Sequence, residues 1–142
     1  MSTFKMPDSV TSIGSSAFES CTSLASIEFP SHSVDLGSCA FRKSGLASLN
    51  ISTGNSVEDR SFAECEQLTN ASVNGPFGIE MFSGCTALTS MSMTGKCTCI
   101  PARCFLNCSR LASITARNAN LIDRIEDYAF SGCTSMTSSI IG

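Results

Sequence analysis

Nine cysteines and a single histidine hold most of this chain's capacity for chemistry. Four thiols, Cys97, Cys99, Cys104 and Cys108, fall within twelve residues. Gathered thiolates are what structural zinc takes as ligands. The spacing here, C-x-C-x4-C-x3-C, is not a common zinc pattern, and Cys104 and Cys108 also fall on positions the chain repeats as core. A small hydrophobe's role suits them better, since free cysteine packs as one. No metal and no cofactor is expected. A disulfide through Cys97 or Cys99 is the alternative if the protein is exported. An odd number of cysteines leaves at least one thiol unpaired within a monomer, and abundant unpaired thiols fit a reducing compartment.

His32 stands between Ser31 and Ser33, close to Asp35. No nucleophile in a recognisable motif accompanies it, so a catalytic triad lacks its parts. It reads as a solvated loop residue. The carboxylate pairs Glu58-Asp59 and Glu126-Asp127 precede phenylalanines at bends, where acidic residues serve turn formation and solubility. No catalytic residue is expected, and the chain does not read as an enzyme. Three glycosylation sequons begin at Asn50, Asn70 and Asn107. A chain with 26 serines produces such triplets by chance, and they read as incidental unless the protein is exported.

The elements that must position these groups come from a repeat. The phrase Ala17-Phe18-x-x-Cys21-x-x-Leu24-x-x-Ile27 returns in degraded form around Phe41, Phe62, Phe82, Phe105 and Phe130, at gaps of 23, 21, 20, 23 and 25 residues. A period of that length with leucine-spaced apolar positions marks a leucine-rich solenoid. Five residues before each phenylalanine stands Ile13, Leu36, Val57, Phe77, Ile100 or Ile125. Three residues after it stands Cys21, Ser44, Cys65, Cys85, Cys108 or Cys133. Leu24, Leu46, Leu68, Leu88, Leu111 or Met136 follows, the second copy arriving one residue early through Ser44-Gly45. After the leucine the chain alternates polar and apolar, as in Ser26-Ile27-Glu28-Phe29, which reads as a half-buried strand. The short segment around each phenylalanine reads as one helical or 3-10 turn. The expected fold is α/β: one solenoid domain over residues 1–142, with a single parallel sheet on one side, short helical or 3-10 turns opposite, and no dedicated end caps.

Outward strand positions form the expected working surface: Ser26, Glu28, Ser48, Asn50, Asn70, Ser72, Ser90, Ser92, Ser113 and Thr115, with Ser138 and Ile140 in a last strand. This surface is small, polar and almost uncharged. It lacks the Trp, Tyr and Arg that dominate tight protein interfaces, so a solvated face or a weak, avidity-driven contact is expected. A formal charge of −3 without a basic cluster argues against nucleic acid. No apolar run reaches the length of a membrane span, and Met1–Pro7 lacks the apolar core of a signal peptide.

The stretch Ser9-Val10-Thr11-Ser12-Ile13-Gly14-Ser15-Ser16-Ala17-Phe18-Glu19-Ser20-Cys21-Thr22-Ser23-Leu24 resembles the BspA-like leucine-rich repeats, and so does Ile125-Glu126-Asp127-Tyr128-Ala129-Phe130-Ser131-Gly132-Cys133-Thr134. The middle copies depart from the pattern at Arg60-Ser61 and at Gly75-Pro76-Phe77-Gly78. The resemblance implies a curved right-handed solenoid, a cell-surface location, and protein binding or adhesion through the concave sheet face. The partner is expected to be a protein of unspecified identity. A structural spacer or a homo-oligomer joined through open solenoid ends is the alternative, because the chain begins and finishes on strand-like segments.

Overall fold

The computed structural model describes residues 2–137, and the repeat folds as stacked windings. Among the described residues ten strands are present: β1 (Ser2–Lys5), β2 (Ser12–Ile13), β3 (Leu24–Glu28), β4 (Val34–Leu36), β5 (Ser48–Val57), β6 (Asn70–Asn74), β7 (Ser90–Met93), β8 (Cys99–Ile100), β9 (Ser113–Ala116) and β10 (Arg124–Ile125). Every pairing is parallel, as identical windings stacked in one direction require. The main face runs β1-β3 and then β5-β6-β7-β9. The Ala47 N–H, donating to the Ala25 carbonyl at 3.0 Å, carries the bonding from β3 to the β5 layer. A narrower second face runs β2-β4 onto the later half of β5, with Val34 opposite Thr53 and Leu36 opposite Val57. On that face β8 pairs with β10. The fourth winding contributes no strand there, because Gly75-Pro76-Phe77-Gly78 shortens it and Pro76 has no N–H to donate.

The segments opposite the sheet are not the helical or 3-10 turns that the sequence suggests. The one 3-10 helix among the described residues, Ala119–Leu121, lies between β9 and β10 and not at a phenylalanine. Two residues in each phenylalanine segment, two before and two after the ring, adopt positive φ: Ser16 and Ser20, Cys39 and Lys43, Arg60 and Glu64, Glu80 and Gly84, Arg103 and Asn107, Tyr128 and Gly132. A left-handed residue every fourth position prevents helix propagation. The N–H groups also alternate in direction. Those of Ala17, Glu19 and Cys21 close turns onto Gly14, Ser16 and Phe18. Those of Ser16, Phe18 and Ser20 donate to Ser38, Ala40 and Arg42 of the next winding. Half the backbone donors are thus spent between windings, which an α-helix does not permit. The class is therefore a parallel β-solenoid with almost no helix.

The phenylalanines stack into one internal column. Ring centroids of Phe18, Phe41, Phe62, Phe82, Phe105 and Phe130 follow one another at 4.9, 5.0, 5.6, 5.8 and 5.4 Å, within 10° of parallel. Phe29 and Phe77 pack against the column from the sides. Leu46, Leu68, Leu88 and Leu111 are fully buried in the neighbouring row. The expected last strand, including the outward positions Ser138 and Ile140, lies outside the described residues.

Candidate functional site

Strand alternation decides what the main face presents. Inner residues Leu49, Ile51, Ala71, Val73, Met91, Met93, Ile114 and Ala116 are buried. Their neighbours therefore point outward. Register then aligns these neighbours into two rows: Ser48, Asn70, Ser90 and Ser113, and Asn50, Ser72, Ser92 and Thr115. Ser48, Asn50, Asn70, Ser90 and Thr115 are exposed, while Ser72, Ser92 and Ser113 are half-buried by their neighbours. Few side-chain bonds tie the rows together; Thr115 donates to Ser92 at 3.4 Å. Most hydroxyls and amides on this face therefore remain open to a partner or to water. Ser26 and Glu28 continue the surface on β3, where Thr3 and Ser26 hydroxyls meet at 2.8 Å. A shallow depression of about 300 Å³ there is lined by Thr3, Ser26, Ile27, Glu28, Phe29 and Asn50.

The cysteines are placed by the repeat. Cys65, Cys85, Cys108 and Cys133 each donate their thiol to a phenylalanine carbonyl of the preceding winding, namely Phe41, Phe62, Phe82 and Phe105, at 3.1–3.2 Å. The row needs a small apolar residue carrying one weak donor, and cysteine meets both demands. The sequence reading recognised only the first of these. Ser44 holds the same row in the second winding and meets the Cys65 sulfur at 3.5 Å. Burial holds the Cys85 and Cys104 thiols well above their ordinary range and pushes Cys108 up to about 12. Cys97 is buried and donates to the Cys99 carbonyl at 3.0 Å, and both residues line a cleft with Lys96, Arg124 and Glu126. Among the described residues no group of three or more His, Cys, Asp or Glu side chains gathers as metal ligands would. All nine cysteines are free thiols.

His32 is more than a solvated loop residue. Its Nε2 meets the Asp8 carbonyl at 2.6 Å and its Nδ1 the Ser33 carbonyl at 3.1 Å. Two acceptors favour the doubly protonated ring and raise its pKa, the Asp8 bond contributing most. Its tie to the first winding is therefore fully present below about pH 6.5 and fades as the pH rises through the raised value. Glu58 and Asp59 lie exposed at one turn. Glu126 pairs with Arg124 at 3.2 Å and accepts from the Ala102 N–H, so the two carboxylate pairs serve separate turns.

A ladder of charges on the turn side escaped the sequence reading. Arg42 bridges Glu19 at 3.0 Å and Glu64 at 2.7 Å, and Arg60 meets Glu80 at 3.2 Å. Arg103 lies 5.3 Å from the centre of the Tyr128 ring. Arg60, Glu80, Arg103 and Tyr128 all stand two residues before a phenylalanine, which was the available signal. Pairs that stay in contact with solvent in this way contribute little stability.

The profile of the BspA-type leucine-rich repeat region matches the chain in six copies, over residues 1–78 and 76–142. The chain belongs to the BspA-type leucine-rich repeat family. A crystal structure of a leucine-rich repeat protein from Bacteroides ovatus superposes with a TM-score of 0.77 at 27% identity, over 96% of this chain and 36% of the other. This BspA-type chain thus spans about a third of the length of that relative. A leucine-rich cell surface protein from Faecalibacterium prausnitzii is more distant, with a TM-score of 0.47 and 18% identity over 96% of this chain and 59% of the other. No curated protein matches the sequence. Leucine-rich repeat proteins are generally protein-interaction modules without catalysis. No described helix of this family member is long and apolar enough to cross a membrane.

Proposed function

We propose that this BspA-type chain is a non-enzymatic protein-binding or adhesion module that presents its main sheet face to a polypeptide partner. The observation that carries the reading is the pair of in-register outward rows, Ser48-Asn70-Ser90-Ser113 and Asn50-Ser72-Ser92-Thr115. They offer closely spaced hydroxyl and amide groups whose hydrogen-bonding capacity is mostly unspent. Such a face carries no aromatic anchor, so single contacts are weak and gain strength through repetition along a longer array. Substituting Asn70→Arg and Ser92→Arg places bulk at the centre of the face without touching the core. Surface-immobilised protein carrying both changes loses its bound partner, whereas Arg60→Glu on the turn side retains it. Equal binding by both variants would move the interaction off the sheet.

A second reading, a self-associating structural segment, draws on a different observation. Among the described residues, the large apolar side chains that stand exposed are Phe4 in the first winding, Leu121, Ile125 and Tyr128 in the last two, and Ile79 between them.

A further inference from the structure

Cys97 and Cys99 stand outside the rows that explain most of the thiols. Cysteine recurs three residues after the phenylalanine, and Cys104 fills the small-residue row beside Phe105. Cys99 lies six residues before its phenylalanine, where the other windings carry Ser12, Asp35, Ser56, Pro76 and Arg124. That row faces outward, so core packing does not account for a thiol in it. The fourth winding gives the thiol room. Gly75-Pro76-Phe77-Gly78 supplies no strand to pair with β8, and Pro76, Phe77, Cys97, Cys99 and Arg124 line a cleft of about 340 Å³ beside it.

Three contacts prepare the two sulfurs. The Cys97 Sγ donates to the Cys99 carbonyl at 3.0 Å, so the chain curls back over Thr98. Arg124 is the register partner of Cys99 on β10. The Cys99 sulfur, ahead of Glu126 and Asp123, strengthens the hold of the Arg124 guanidinium on its proton. Glu126 anchors the same guanidinium through Nε at 3.2 Å. A positive charge is thus fixed beside the sulfur, and the thiolate is the species that attacks a disulfide.

We propose that Cys99 and Cys97 are a redox-active pair, oxidised by a low-molecular-weight disulfide to a Cys97–Cys99 bond. The Cys99 thiolate attacks one sulfur of the disulfide RSSR. The other leaves as RS⁻ and takes the proton that Cys99 released. Cys97 then gives up its proton and attacks the Cys99 sulfur of the mixed disulfide, and the second RS⁻ leaves and takes that proton. The two cysteines lose two electrons and two protons, and RSSR becomes two RSH. Cys99 attacks first because it is half-buried in the cleft, whereas Cys97 is buried behind it. Cα atoms two residues apart stand at most about 7 Å from each other. A disulfide spans up to about 6.8 Å, so the bend over Thr98 brings the pair within range. A bond that closes so small a ring is strained and easily reduced, which makes the change reversible. The pair lies on the narrower second face and is independent of the sheet-face reading.

Glutathione disulfide is the probe. The reduced full chain is incubated with it, free thiols are blocked with N-ethylmaleimide, and the protein is digested with trypsin. Cleavage after Lys96 and Arg103 isolates both sulfurs in the peptide 97–103. This peptide comes out two hydrogens lighter and free of glutathione, while exposed Cys21 retains glutathione as a check that the reagent acted. Cys97→Ser traps glutathione on Cys99, and Cys99→Ser leaves Cys97 unreacted. In the Cys97→Ser background, Arg124→Gln slows the addition to Cys99 several-fold and Arg124→Lys restores it. Circular dichroism checks that the variants fold, with Cys97→Ala as the substitute. A peptide 97–103 that stays reduced while Cys21 reacts, glutathione that remains on wild-type Cys99, addition to Cys97 ahead of Cys99, or an unchanged rate in Arg124→Gln would each overturn the proposal.

Discussion

A phenylalanine ring in this column touches a like ring above and below, so its removal is felt by three windings. Phe62 has no solvent exposure and stacks on Phe41 and Phe82. Phe62→Ala is expected to cost about 3–5 kcal/mol in urea titration, the usual loss for a buried phenylalanine. Ser72→Ala, on the outward row, should leave the midpoint nearly unchanged. The adjacent Ser61 gives the opposite case. Its side chain is fully buried and its Oγ has no hydrogen-bond partner, in a row otherwise filled by Ala40, Met81, Cys104 and Ala129. Desolvating a hydroxyl without a partner costs about 1–3 kcal/mol. Ser61→Ala should therefore raise the unfolding free energy by roughly 1 kcal/mol, part of the gain being lost to the small void left behind. A drop in stability would mean that the hydroxyl is satisfied after all.

At the scale of elements, what a local pattern encodes was legible and what two windings create together was not. Period-two alternation after each leucine marks strands such as Asn70–Asn74 and fixes which residues face outward, so the two polar rows could be read directly. The turns were misjudged because their left-handed positions hold Ser, Cys, Lys, Arg, Glu, Asn and Tyr more often than Gly. No composition signal advertises a positive φ at Arg60 or Glu64, and the bonds that stabilise it come from the next winding. The Glu19-Arg42-Glu64 ladder was missed for the same reason: it needs the register between layers. The shortened second copy was legible through Gly45, and the structure gives its cause. A Cβ at Gly45 would run into the Thr22 carbonyl of the preceding winding, because the deletion draws the two backbones together. Backbone cannot yield as a flexible side chain can. Gly45→Ala is expected to cost at least about 2 kcal/mol, read as a lowered urea midpoint. A neutral result would show that this junction is looser than its geometry.

The windings of residues 2–137 form a one-dimensional stack in which each is held only by its neighbours, so within this stack the middle is held from two sides and the outermost windings from one. The thiols report this gradient because the repeat distributes them along the axis. Cys21 is exposed at the first winding, Cys133 is half-buried at the last, and Cys39 and Cys99 are half-buried at the surface. Cys65, Cys85, Cys97, Cys104 and Cys108 are buried. Alkylation requires a thiolate in contact with reagent, and burial raises the pKa of Cys85, Cys104 and Cys108, the last to about 12. The interior thiols therefore react only when windings separate. Labelling with iodoacetamide in native buffer, followed by peptide mass spectrometry, should modify Cys21 first, then Cys39, Cys99 and Cys133. Sub-denaturing urea should next expose Cys108 before Cys85 and Cys65, since a stack held from one side at its end opens from there inward. Simultaneous labelling of Cys65, Cys85 and Cys108 at a single urea concentration would instead mean that all windings unfold as one cooperative unit.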